Sequence, residues 1–218
     1  MIRLAIFDMD GTLLDTLEDL KEACNYSLEC SGYPRRSLED VKRRVGSGAR
    51  NLVAGLAPEE YGNNGAVIDR LHDDFTAYYS EHGEDSTKPY DGTVSMLREL
   101  KKAGVRTAIL SNKPDRAVGV LANRYFPGLI DLAYGQRIGV PIKPDPVPLW
   151  DVIAHFGFER HDCAYIGDSE VDIQTGLNAD VMTVGVSWGF RTIDELNKAG
   201  ARVIAHKAEE LLSILIDK

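Results

Sequence analysis

Cysteine is scarce. The 218-residue chain holds three, Cys24, Cys30 and Cys163, and no CxxC pair. So odd and scattered a set argues against a disulfide framework and suggests a reducing compartment with buried or idle thiols. Long hydrophobic runs are also missing. None approaches the roughly 20 residues needed to cross a bilayer. The opening "MIRLAIFD" is broken by Asp8 before the apolar region of a signal peptide would be complete. An excess of positive charge is lacking too: the formal net charge is -9. That balance argues against a nucleic-acid surface, which needs concentrated Lys and Arg to displace counterions. The basic run "VKRRV" (Val41–Val45) reads instead as a solvated helix face. His72, His82, His155, His161 and His206 show no close metal-ligand spacing, which argues against a zinc site. Internal repeats and low-complexity tracts are absent. These absences lead us to expect a cytoplasmic protein, monomeric or homodimeric, with neither a nucleic-acid nor a membrane partner.

Ordinary core material is present, with 44% hydrophobic and 27% charged residues, enough for one large domain or a domain with a smaller insertion. Short apolar runs with β-branched character recur: "LAIF" (4–7), "RTAIL" (106–110), "CAYIG" (163–167) and "VMTVGV" (181–186), with weaker signals near 132 and 203. Helix-period stretches lie between them. "TVSMLRELKKAG" spaces Val94, Leu97, Leu100 and Lys101 for one face and ends at Gly104, and "DPVPLWDVIAHFG" does the same with Leu149, Val152, Ile153 and Phe156. Strands alternating with helices at this spacing predict an α/β fold: a Rossmann-like parallel sheet core with helices on both faces. Residues 17–88 break the rhythm, with helix signals and no convincing strand; Ser37 and Asp40 form a capping-box variant there. We therefore expect an inserted all-helical cap over 17–88 and an α/β core from 1–16 with 89–218.

In open parallel sheets, ligands bind beyond the carboxyl ends of the strands. Four segments near those ends carry polar, mutually complementary groups: Asp8-Met9-Asp10-Gly11-Thr12, Ser111-Asn112-Lys113, Lys143-Pro144 and Gly167-Asp168-Ser169 with Asp172. Asp8, Asp10, Asp168 and Asp172 bring too much negative charge for one crevice unless a cation neutralises it. A hard divalent ion held by carboxylates, waters and a phosphate is the economical solution. Lys143 adds a second positive charge, and Ser111 and Asn112 offer neutral donors to phosphate oxygens.

These four segments together resemble the motifs of the haloacid dehalogenase-like phosphatases. "LSNKPD" (110–115) and the helical insertion resemble the phosphoglycolate phosphatase-like branch. The resemblance implies a Mg²⁺-dependent phosphatase acting on a small phosphate ester through an aspartyl-phosphate. It implies Asp8 as nucleophile, Asp10 as general acid and base, and Lys143 as the charge partner of Asp8. It further implies a metal set of Asp8, Asp10 (also through its backbone carbonyl), Asp168 and Asp172, the last holding a metal-bound water or orienting Lys143. Ser111 and Asn112 are expected on phosphate oxygens. Thr12 either positions Asp8 through its hydroxyl or caps the following helix.

Asp15 reads as a helix-start or hinge residue. Arg50, in "VGSGARN" (45–51), either meets the non-phosphate end of the substrate or belongs to a flexible turn. Arg137 either approaches the phosphate or faces solvent, and Lys113 competes with Lys143 for the role of third motif. Trp188 reads as rim packing and Arg191 as a surface residue. Two other readings remain: a phosphomutase of the β-phosphoglucomutase type, and a non-catalytic scaffold that only binds.

Overall fold

The computed structural model describes residues 2–216. In chain order it runs β1 (Leu4–Phe7), β2 (Leu14–Asp15), α1 (Leu17–Cys30), α2 (Leu38–Lys42), α3 (Ala49–Leu56), α4 (Gly65–His82) and β3 (Lys88–Pro89). Next come α5 (Thr93–Lys102), β4 (Arg106–Pro114), α6 (Asp115–Tyr125), β5 (Leu132–Gln136) and α7 (Val147–Phe156). The chain ends with β6 (Cys163–Gly167), α8 (Glu170–Ala179), β7 (Met182–Val186), α9 (Ile193–Lys198), β8 (Ile204–Ala205) and α10 (Ala208–Ile216).

Six strands form one sheet in the order β5-β4-β1-β6-β7-β8, parallel at every pairing, while β2 and β3 form a two-stranded sheet. Period-two alternation explains why the sheet strands read as continuous apolar runs. Ala5 and Phe7 of β1 and Ala164 and Ile166 of β6 pack with Leu97, Leu100, Leu121, Leu211 and Leu215 in one cluster. Leu4, Ile6, Cys163 and Tyr165 point the other way, into a second cluster with Leu149, Val152 and Ile153 of α7. Both faces of these two strands are buried, which is why they read as unbroken apolar runs.

The helix ends follow their local chemistry. Ser37 accepts from the Asp40 N–H and Asp40 accepts from the Ser37 N–H, a complete capping box on α2. Gly104 (φ 78°) and Gly157 (φ 68°) take the left-handed conformation where α5 and α7 stop.

The chain divides into two compact units, 1–14 with 89–218, and 15–88. The second is the helical one, and in it Asp15 Oδ1 accepts from the Leu17 N–H at the start of α1. Asp19 of α1, 4% exposed, accepts from the Ser86 and Thr87 N–H groups and from the Thr87 hydroxyl. In the first unit, the Tyr90 N–H donates to the Leu13 carbonyl at 3.1 Å.

Candidate active site

Strand β1 ends at Phe7, and the next residue, Asp8, is buried with its N–H on the Ile166 carbonyl of β6. The central place of β1, between β4 and β6, lets the ends of three neighbouring strands meet around that carboxylate. Strand β4 continues beyond the expected Leu110 to Pro114, and Ser111, Asn112 and Lys113 are all buried within it. After β6 come Asp168 and then Ser169, the N-cap of α8. Ser169 and Asp172 form a reciprocal capping box, which fixes Asp172 one helical turn from Asp168.

Lys143 Nζ lies 2.9 Å from Asp8 Oδ1 and 2.7 Å from Asp172 Oδ1. Burial pulls the ammonium toward its neutral form, but the Asp172 and Asp8 carboxylates outweigh burial and hold its pKa above the ordinary 10.5. Burial pushes the Asp8 carboxyl up to about 6; Lys143 opposes the rise, while Asp172 and Asp10 add to it. The Asp168 carboxyl is pushed well above its ordinary range, first by burial and then by Asp172 and Asp8. Asp8, Asp168 and Asp172 each bring a carboxylate oxygen to within 4.8 Å of the others. Two buried acids so crowded are the expected state of a site that a cation would relieve.

The donor set discriminates among the three. A carboxylate offers about four acceptor positions. Asp172 uses four: Lys143 Nζ and the Tyr165 hydroxyl (3.0 Å) on Oδ1, and the Ser169 N–H (3.1 Å) and hydroxyl (2.5 Å) on Oδ2. Asp168 accepts one bond on each oxygen, from the Thr12 hydroxyl (3.1 Å) and the Phe190 N–H (2.7 Å), which leaves lone pairs over. Of these two, Asp168 has acceptor positions to offer a divalent ion beside Asp8, while those of Asp172 are taken by Lys143, Tyr165 and Ser169.

Several sequence expectations meet a different geometry. The Asp10 side chain lies outside the acidic cluster, with both carboxyl oxygens 3.1 Å from Lys113 Nζ. The Thr12 hydroxyl goes to Asp168 instead of Asp8. The Asn112 carboxamide bonds the backbone of Lys143 at both ends, donating to its carbonyl (3.0 Å) and accepting from its N–H (2.9 Å). It clamps the lysine segment where a phosphate contact was expected. Ser111 is buried in the crevice.

Arg50, in the helical unit, is exposed and forks onto Asp69 Oδ1 at 3.0 and 2.8 Å. The Arg137 guanidinium carbon lies over the Tyr134 ring, 3.9 Å from its centroid, and Nη2 is 3.6 Å from Asp151. Arg191 is buried, contrary to expectation, and its guanidinium forks onto Glu170 (2.8 and 3.3 Å). The Tyr165 phenol, which donates to Asp172, stands in the sequence inside an apolar run that hides its polar end. A buried phenol must find a partner, and that was the available signal.

The sequence profile of the haloacid dehalogenase-like hydrolases matches residues 5–186. The N-acetylmuramic acid 6-phosphate phosphatase of Pseudomonas aeruginosa is 30% identical, over 98% of this chain and 95% of its own length. The phosphoglycolate phosphatase of Pseudomonas syringae pv. tomato is 35% identical, over 90% of this chain and 75% of its own. A Lactobacillus delbrueckii subsp. bulgaricus crystal structure, provisionally described as a phosphoglycolate phosphatase, superposes with a TM-score of 0.93 and 36% identity, covering 99% of both chains. A buried acidic cluster at the strand ends of a parallel sheet, with a profile match over most of the chain, leads to one assignment: the chain belongs to the haloacid dehalogenase-like hydrolase family.

Proposed function

We propose that the protein is a Mg²⁺-dependent phosphatase that removes phosphate from a small organic monoester of the phosphoglycolate kind. The observation that carries this reading is the buried contact of Asp8 with Lys143 beside Asp168, a carboxylate held by one ammonium in an otherwise acidic crevice.

Asp8 attacks phosphorus and forms an aspartyl-phosphate as the ester oxygen departs. Asp10 gives the departing oxygen its proton. It then takes a proton from the water that attacks the aspartyl-phosphate, which releases inorganic phosphate and restores Asp8. Lys143 and the Ser111 hydroxyl hold phosphoryl oxygens, and Asn112 fixes the lysine segment. Asp8 and Asp168 would hold Mg²⁺, which supplies positive charge against the carboxylates and the phosphoryl group. Choice of the substrate's non-phosphate part is assigned to the helical unit, where Arg50 is exposed.

The two curated relatives named above act on esters that carry a carboxylate as well as a phosphate. The substrate proposed for this chain carries the same pairing.

Phosphate release across a metabolite panel tests the reading, with Mg²⁺ present or chelated. We expect release from carboxylate-bearing monoesters, loss of turnover in Asp8→Asn, and acid-stable label on Asp8 after quenching with ³²P-substrate. Interconversion of phosphosugars without net release would indicate a mutase instead. Full turnover by Asp8→Asn would refute the nucleophile.

A further inference from the structure

The loop 187–191 follows β7, and the chemistry above draws on only one backbone donor from it. Three consecutive residues of this loop act on the metal side of the site. The Trp188 indole N–H donates to the Thr12 carbonyl at 3.0 Å. The Phe190 N–H donates to Asp168 Oδ2 at 2.7 Å. Between them, Gly189 packs so closely that a Cβ would overlap the Gly11 carbonyl oxygen and the Asp168 side chain. Thr12, held by the indole, in turn donates its hydroxyl to Asp168 Oδ1.

Asp168 is thus gripped from two sides. One oxygen is bonded by the loop after β1, the other by the loop after β7, and the indole ties those loops together. A carboxylate bonded once on each oxygen cannot rotate about its terminal torsion, and both remaining lone-pair directions are fixed. A ligand oriented in advance loses less freedom when it takes up a cation, and such outer partners typically contribute 10–100-fold in metal affinity.

We propose that Trp188-Gly189-Phe190 is a positioning element that sets the affinity of this site for its divalent ion by fixing the Asp168 carboxylate, an inference that rests on the reading of Asp168 as a metal ligand. Trp188→Phe removes only the indole donor and keeps a large ring. Gly189→Ala places a methyl group against Asp168.

The test is Mn²⁺ binding to chelator-stripped full-length protein, followed by electron paramagnetic resonance, with Mg²⁺ as competitor. Thermal unfolding of the metal-free proteins runs in parallel. We expect Trp188→Phe to weaken Mn²⁺ binding about tenfold and Gly189→Ala at least as much, with the metal-free Tm of Trp188→Phe within a few degrees of the parent. If Gly189→Ala does not fold, Trp188→Phe decides alone. Affinities within twofold of the parent in the folded variants would overturn the proposal, provided Asp168→Asn abolishes binding. If Asp168→Asn binds as the parent does, the ligand assignment itself falls, and this inference falls with it.

Discussion

Asp8 binds its proton more tightly in the folded protein than in an unfolded chain, about 6 against 3.8, because burial outweighs the nearby ammonium. Between those values the folded state holds more protons than the unfolded one. Raising the pH through that window therefore costs stability, and the full cost is present at pH 7. Removing the charge should relieve it. We expect metal-free Asp8→Asn to be more stable than the parent at pH 7 by on the order of 2–3 kcal/mol. The difference should shrink as the pH falls toward 4, and Mg²⁺ should narrow it by stabilising the parent alone. Urea titrations at several pH values measure this, and a destabilised Asp8→Asn at pH 7 would contradict it. At the same scale, the residues legible in the sequence were those whose side chains carry charge in an unlikely place, such as Asp8, Lys143 and Asp168. The Phe190 donor was not legible because it is a backbone N–H with no side-chain signature. The Asn112 clamp escaped notice because its partner is the backbone of Lys143, distant in sequence.

At the scale of the element, Asp19 joins α1 to the segment leaving α4 through two backbone donors and one hydroxyl. Asp19→Ala would take away the carboxylate that accepts from the Ser86 and Thr87 N–H groups, at a cost of about 2–4 kcal/mol. Asp19→Asn keeps one acceptor oxygen and should cost less. Urea unfolding followed by circular dichroism checks the ranking, and equal stability of both variants with the parent would remove Asp19 from any structural role. The strands β1, β6 and β7 were legible because burial on both faces demands unbroken apolar runs. Strand β4 was read four residues too short. Its last turns of sequence, Ser111 to Pro114, are polar or imino residues that the strand carries into the crevice for chemistry. Local polarity cannot distinguish such residues from a loop. Strand β8 was faint because only two residues pair there, at the edge of the sheet.

Across the whole molecule, the three thiols differ in exposure and fall in both units. Cys30 is exposed, while Cys24 and Cys163 are buried. Burial pushes the Cys24 thiol far above its ordinary range. It also pushes Cys163 up to about 12, with Asp162 adding to the rise and Arg3 opposing it. Only thiolates react with an aromatic disulfide reagent, so one fast equivalent is expected in the native protein and two more after denaturation. Two or more fast equivalents in the native state would contradict the burial of Cys24 or Cys163. In low urea, Cys24 becomes a reporter of opening in the helical unit and Cys163 of opening in the α/β unit.

Leu13 and Tyr90 are bonded to each other although a whole unit of sequence lies between them. The sheet is therefore indifferent to how long that excursion is, since closing a longer loop costs only a logarithmic increment of entropy. Whatever the chain threads between those two positions can be lengthened, shortened or exchanged without disturbing the register of β1 against β4. Selection can thus revise the inserted segment while the strand ends that carry Asp8 and Asp168 are inherited intact.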